Sequence, residues 1–327
     1  MANRILNSNR DFNMSDCTLC PRECHADRTA AKTGYCGQSV HLTAARAALH
    51  FWEEPCLSGK NGSGAVFFSG CNMRCIFCQN YHIAHGQSGK EITVERLAEI
   101  FLELQAKEAH NINLVTPTHY IPQIITELQK AKNAGLTIPI VYNTSGYEKV
   151  DTLKSLEGLV DIYLPDLKYH DSALSRKYSN APDYFKVASA AIEEMFRQAG
   201  APVFDPPVVG ENLVDGEVSP RDISETSLMK KGVIVRHLLL PDCAEDSRYI
   251  LRYLYKTYGD SIYISIMNQY TPLPQVSGIP SLNRRITDEE YDALIDYAIS
   301  LGIENAFIQE GGTSSESFIP AFDCEGV

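Results

Sequence analysis

Gly64-Ala65-Val66-Phe67-Phe68-Ser69-Gly70-Cys71-Asn72-Met73-Arg74-Cys75-Ile76-Phe77-Cys78-Gln79-Asn80 is a strand-like apolar run that turns directly into three cysteines spaced C-x3-C-x2-C. Three thiolates at that spacing can each hold one iron of a cubane [4Fe-4S] cluster and leave the fourth iron without a protein ligand. An open iron is a place for chemistry, whereas a cluster with four cysteine ligands usually only carries electrons. The competing donor set is a tetrahedral zinc site completed by His82 or His85, but zinc knuckles favour paired C-x2-C units.

Downstream of this run the apolar pattern repeats. Strand-like segments fall at 64–69, 112–116, 138–143, 160–165, 232–239, 261–266 and 305–309. Amphipathic helical patterns lie between them, at Val94 to Ala109, Pro122 to Ala134, Asp183 to Ala199, Glu245 to Tyr258 and Asp288 to Leu301. Thr93 and Glu95 open one of these helices, and Gly135 and Gly302 close two. Strands alternating with helices imply parallel βαβ units. About six such units predict an α/β fold, a partial (β/α)6 TIM-like barrel that stays open. Residues 1–60 read as a Cys-rich N-terminal segment with little periodicity, a candidate metal knot, and residues 61–327 as the barrel. Ala201 to Lys231, with Pro202, Pro206, Pro207, Gly210, Gly216 and Pro220, breaks the rhythm as a long loop, functional or simply a tolerated insertion.

Hydrophobic residues at 44% and charged residues at 21% are globular values for this 327-residue chain. Lys plus Arg at 29 against Asp plus Glu at 41 gives a net charge of −12, which argues against a nucleic-acid partner tracking phosphates. The first residues hold no apolar signal-peptide core, and no run of apolar residues is long enough for a membrane span. Ten cysteines without an export signal predict a reducing, cytoplasmic location and metal rather than disulfides.

In parallel α/β barrels the reactive groups gather where strands end. Those ends read Asn80 after the cysteines, then Thr116-Pro117-Thr118-His119, Asn143-Thr144-Ser145-Gly146-Tyr147, Pro165-Asp166-Leu167-Lys168, Arg236-His237 and Asn268-Gln269-Tyr270. The cysteine spacing after a strand resembles the signature of the radical S-adenosylmethionine (SAM) superfamily. Asn143-Thr144-Ser145-Gly146-Tyr147, Asp166-Leu167-Lys168 and Arg236 resemble the SAM-contacting elements of pyruvate formate-lyase activating enzymes. Leu114 to His119 and the N-terminal Cys-x2-Cys-Pro-Arg-x-Cys resemble an uncharacterised branch of their homologues, and the likeness runs over nearly the whole chain.

The resemblance implies that Cys71, Cys75 and Cys78 hold a [4Fe-4S] cluster whose open iron is chelated by SAM. One electron then splits the sulfonium to a 5′-deoxyadenosyl radical. It implies a SAM pocket lined by Asn80, Thr116, Thr118, Asn143, Ser145, Asp166, Lys168 and Arg236, with Lys168 or Arg236 pairing the SAM carboxylate. Thr116-Pro117-Thr118 stands where the superfamily commonly has Gly-Gly-Glu, so the side-chain carboxylate of that stretch is gone. Asn268-Gln269-Tyr270-Thr271-Pro272 lacks the histidine of glycyl-radical activases; His119 or His237 would supply an imidazole, although each reads more readily as structural.

Two substrates follow as alternatives: a glycine of a glycyl-radical-enzyme-like partner protein, or a small metabolite or peptide. The implied reductant is an electron donor such as flavodoxin or ferredoxin. A non-enzymatic zinc or redox scaffold is the reading from another class. Cys17, Cys20, Cys24 and Cys36 place four more thiols within a short stretch, a second metal site for structural zinc or another cluster. Cys56, Cys243 and Cys324 have no partner at useful spacing.

Overall fold

A computed structural model describes residues 12–205, 227–309 and 319–327. Most of the irregular 201–231 stretch therefore lies outside the described residues.

Ten strands are seen among the described residues: β1 (Thr43–His50), β2 (Ser63–Phe68), β3 (Lys90–Glu91), β4 (Ile112–Val115), β5 (Ile140–Thr144), β6 (Ile162–Pro165), β7 (Val203–Phe204), β8 (Met229–Leu238), β9 (Tyr263–Met267) and β10 (Ala306–Ile308). They form one sheet in the order β10-β9-β8-β6-β5-β4-β2-β1-β3, with β7 alongside β8. Every pairing from β2 through β10 along that path is parallel, while β1 pairs antiparallel with β2 and β3. The path does not return on itself, so the barrel is partial and open, and its parallel strands are the seven expected from the apolar runs.

The helices are α1 (Pro55–Ser58), α2 (Tyr81–Ala84), α3 (Val94–Ala106), α4 (Ile121–Asn133), α5 (Val150–Leu153), α6 (Ser172–Ser179), α7 (Tyr184–Ala199), α8 (Ala244–Tyr258) and α9 (Asp288–Leu301). Their packing follows from periodicity. In α3 the buried Leu97, Ile100, Phe101 and Leu104 recur at helical spacing and lie on one stripe. Each such side chain removed from water contributes roughly 1.5–3 kcal/mol. The Thr93 hydroxyl accepts from the Arg96 amide to start α3, and a Thr287–Glu290 capping box starts α9.

Register sorts the strand residues into two faces. Val66, Leu114, Tyr142, Tyr163 and Val233 align across β2, β4, β5, β6 and β8. They share the main core with the helices. The alternate residues face inward in two rows, Phe67-Val115-Asn143-Leu164 and, one step deeper, Ala65-Asn113-Val141-Ile162. From α1, Cys56 and Leu57 pack with Val141, Ile162, Leu164 and Ile234 and plug the interior. The boundary expected at residue 60 falls between two paired strands, since Leu49 in β1 stands opposite Gly64 in β2. Periodicity was hard to see in β1 because Ala44, Ala45, Ala47 and Ala48 bury both faces of a short, alanine-rich strand.

Candidate functional site

The cysteine loop leaves β2 through Gly70, whose φ of 89° belongs to the left-handed region. A side chain there would meet the Cys36 carbonyl at 2.6 Å, so the loop and the N-terminal segment approach as closely as glycine allows. The Cys71 amide donates to the Cys36 carbonyl at 3.2 Å and the Ile76 amide to the Tyr178 carbonyl at 3.0 Å. The Asn72 carboxamide donates to the Tyr147 carbonyl at 2.7 Å. Arg22 closes over the loop, donating to the carbonyls of Asn72 at 2.7 Å, Ser179 at 2.9 Å and Asn180.

Within this cradle Cys75 is buried, and Cys71 and Cys78 are partly so. Burial pushes the Cys71 thiol up to about 11, with Cys75 adding to the rise. Burial pushes Cys78 higher still, and Cys75 and Cys71 add to it. Lys168 opposes the shift at both positions. The Met73 amide points at the Cys71 sulfur at 3.3 Å and the Ser179 hydroxyl at the Cys75 sulfur at 2.9 Å, the donors a thiolate wants. Among the described residues no three Cys, His, Asp or Glu side chains converge on a single metal ion. A cubane makes a different demand, one thiolate per iron corner, and three soft donors under one cation fit that donor set.

A charged chain runs inward from the cysteines. Lys168 Nζ lies 2.5 Å from Asp166 Oδ2. Arg236 Nε lies 3.0 Å from Asp166 Oδ1, and its Nη1 lies 3.5 Å from Glu53 Oε2. Arg236 Nη2 donates to Asn143 Oδ1 at 2.6 Å, and the Asn143 amide donates to Glu53 at 3.4 Å. Burial favours a neutral Asp166, but Lys168 and Arg236 outweigh it and hold the carboxyl below its ordinary value. Burial likewise works against charge on Lys168, and Asp166 and Cys75 more than restore it. Gly146 makes this possible: at φ 77° it leaves room for the Asp166 carbonyl, which a side chain would meet at 2.3 Å.

Four of the eight residues expected to line the SAM pocket thus share one network: Asn143, Asp166, Lys168 and Arg236. Thr116 and Ser145 stand just past the ends of β4 and β5, and Asn80 just before α2, outside it. Thr116 has a φ of 58°, in the left-handed region that favours glycine. Thr118 turns the other way, its hydroxyl donating to Glu148 at 2.5 Å. His119 and His237 each hold a backbone carbonyl. His119 Nε2 meets the Ser69 carbonyl at 2.6 Å, and burial first, then Arg28, pushes its pKa down to about 3. His237 bridges the Leu167 carbonyl at 2.7 Å and the Ser247 hydroxyl at 2.8 Å.

The N-terminal cysteines occupy a turn in which the Cys17 amide bonds the Ala26 carbonyl and the His25 amide bonds the Cys17 carbonyl. Burial pushes Cys20 up to about 12, and Cys36 and Cys17 add to it. Cys36 is raised by burial, with Cys17 and Cys24 adding. A side chain on Gly34 would stand 3.0 Å from the Cys24 sulfur and 3.5 Å from that of Cys36.

Glu53, Glu54, Asn113 and Glu148 were not singled out from sequence. The signal for the first two was there: adjacent acids in an otherwise apolar stretch, between Phe51-Trp52 and Cys56-Leu57.

Residues 65–219 match the family model described as the Radical SAM superfamily. An uncharacterized protein of Methanocaldococcus jannaschii is 26% identical over 299 residues, which cover 86% of this chain and 74% of that protein. Streptococcus suis SuiB, in a crystal structure bound to the precursor peptide SuiA, is similar with a TM-score of 0.45 and 15% identity, over 73% of this chain and 46% of its own. The radical S-adenosylmethionine methyltransferase TsrM from Kitasatospora setae, with cobalamin and a [4Fe-4S] cluster bound, is similar with a TM-score of 0.43 and 11% identity, over 64% of this chain and 36% of its own. The chain spans less than half the length of these solved structures.

Proposed function

From a chain that carries a radical SAM domain across residues 65–219, we propose an enzyme that uses a [4Fe-4S] cluster on Cys71, Cys75 and Cys78 to cleave SAM reductively and abstract hydrogen from a substrate. The observation that carries this reading is the polar chain inside the barrel from Lys168, whose charge the buried Cys75 supports, through Asp166 to Arg236. When bound, the cluster supplies the electron that splits the SAM sulfonium.

The protein's part is placement. Lys168, with Asp166 occupying one of its three donors, offers a carboxylate the rest of its ammonium group. Asp166 and Asn143 present acceptors to amino and hydroxyl groups. Val115, Leu164 and Phe67 line the same inward row and keep water from the reacting carbon. The reductant is a flavodoxin- or ferredoxin-type donor.

Of the two substrate classes, a glycine of a partner protein and a small metabolite or peptide, the buried acids beside Arg236 favour the second. For Cys17, Cys20, Cys24 and Cys36 we propose a metal that ties the N-terminal segment together, zinc or a second cluster. Iron and sulfide analysis of anaerobically prepared protein tests the central reading. A brown protein whose reduced cluster changes its electron paramagnetic resonance spectrum on adding SAM supports it; a colourless protein holding only zinc overturns it.

A further inference from the structure

Arg28 is a fully buried cation that the SAM pocket does not use. Its Nε and Nη2 donate to the Ser39 carbonyl at 3.2 and 2.6 Å, and its Nη1 donates to the His119 carbonyl at 2.7 Å. These acceptors are neutral, and among the described residues no carboxylate pairs with the guanidinium. A guanidinium does not shed its proton in a protein, so it cannot escape the mismatch by becoming neutral. An interior charge left unmatched is costly.

What stands beside it is sulfur. Arg28 Nη1 lies 3.9 Å from the Sγ of the buried Cys17, and its charge acts on the buried Cys36 as well. Cys36 neighbours Cys17 and Cys24, and Cys20 neighbours Cys36 and Cys17. As thiols these groups are weak acceptors. As metal-bound thiolates they match the cation, because four of them around a zinc ion, or around an oxidised [4Fe-4S] cluster of the same charge, leave two negative charges. Among the described residues no three of the sulfurs converge on a single ion, so a zinc ion would draw them in, whereas a cubane takes one at each corner.

The same residues reach the triad loop. Arg28 holds the carbonyl of His119, whose Nε2 meets the Ser69 carbonyl at 2.6 Å. The Cys36 carbonyl accepts the Cys71 amide at 3.2 Å. Ser69 and Cys71 flank Gly70, so two tethers join the N-terminal cysteines to the entry of the loop.

We propose that Cys17, Cys20, Cys24 and Cys36 hold their metal as a centre of four thiolates whose buried counter-charge is Arg28, and that through Arg28 and Cys36 this centre fixes the entry to the triad loop. The proposal rests on the reading of these cysteines as a metal site. It adds what balances the site's charge and what the site does for the triad. Arg28 is a positioning residue here, acting on the sulfur ligands without touching the metal.

The test uses the full chain, reconstituted anaerobically, as wild type, Arg28→Lys and Arg28→Gln. Metal analysis identifies the centre, as one zinc per chain beside the triad's iron or as twice the triad's iron and sulfide. Retention against a chromophoric zinc or iron chelator then reads how tightly the metal is held. Arg28→Gln, which removes the charge but keeps an amide donor, should hold it about 10- to 100-fold more weakly. Arg28→Lys, which keeps the charge, should recover most of that loss. Equal loss in both variants would give Arg28 a role of shape alone and overturn the counter-charge. Cys20→Ala, stripped of this metal but not of the triad's iron, should exchange its Cys71 amide hydrogen at least about tenfold faster by mass spectrometry. Wild-type exchange at Cys71 in that variant would overturn the hold on the loop. Metal held equally by wild type, Arg28→Lys and Arg28→Gln refutes this inference alone. A wild type with a loaded triad and no metal on the N-terminal cysteines refutes the reading beneath it.

Discussion

Glu148 sits fully buried among Thr118, Thr144 and Tyr142, with one carboxylate oxygen unpartnered. Burial pushes its carboxyl from an ordinary 4.5 up to about 7, against the pull of those three hydroxyls. A folded-state value above the unfolded one means that the native protein holds a proton the unfolded chain releases. The stabilisation is present in full below about pH 4.5 and is lost as pH rises to about 7. Glu148→Gln mimics the protonated form. Urea unfolding should show the variant gaining on the wild type by about 3 kcal/mol between pH 5 and pH 8; parallel pH profiles would contradict this. Arg236 presents the opposite case. It is the shared cation of Asp166 and Glu53, so Arg236→Ala leaves two buried carboxylates with less compensation. A loss of about 3–5 kcal/mol in unfolding free energy is expected, together with weaker SAM binding. Wild-type stability and SAM affinity in that variant would remove Arg236 from the site.

At the level of elements, α4, α7 and α9 were legible because their apolar residues repeat at helical spacing over several turns. The seven parallel strands were legible because each carries a run of apolar residues, as strands of a largely covered parallel sheet do. Strand β1 was not, since alanines carry little pattern, and α6 was not, because eight mostly polar residues have few apolar positions to repeat. Part of the site was readable as well: Asn143, Asp166, Lys168 and Arg236 follow from the rule that polar groups cluster at strand ends. Glu53, Glu54 and Asn113 obey no such rule. Asn113 lies mid-strand, where sequence alone reads an interruption in an apolar run, and only the register shows that it faces the barrel interior. The N-terminal element makes its own prediction. If Cys17, Cys20, Cys24 and Cys36 bind metal, Cys20→Ala should lower thermal stability and release that metal while the triad's iron stays. Metal analysis showing no change in zinc or iron would dismiss the site.

At the scale of the molecule, the described residues on both sides of position 60 pack around the cysteine loop. Residues before position 60 supply β1, the buried Arg28 that donates to the His119 carbonyl at 2.7 Å, and Arg22 over the loop itself. Removing residues 1–60 strips a strand from β2 and three carbonyl contacts from the cysteine cradle. The 61–327 fragment should fail to unfold cooperatively in calorimetry, and a sharp, wild-type-like transition would contradict that dependence. The central claim is chemical and concerns the triad. Anaerobic mass spectrometry for 5′-deoxyadenosine, with dithionite and SAM supplied to the wild type and to Cys75→Ala, tests it most directly. The account predicts product from the wild type and none above background from the variant; equal product from both, or none from a cluster-loaded wild type, would contradict it.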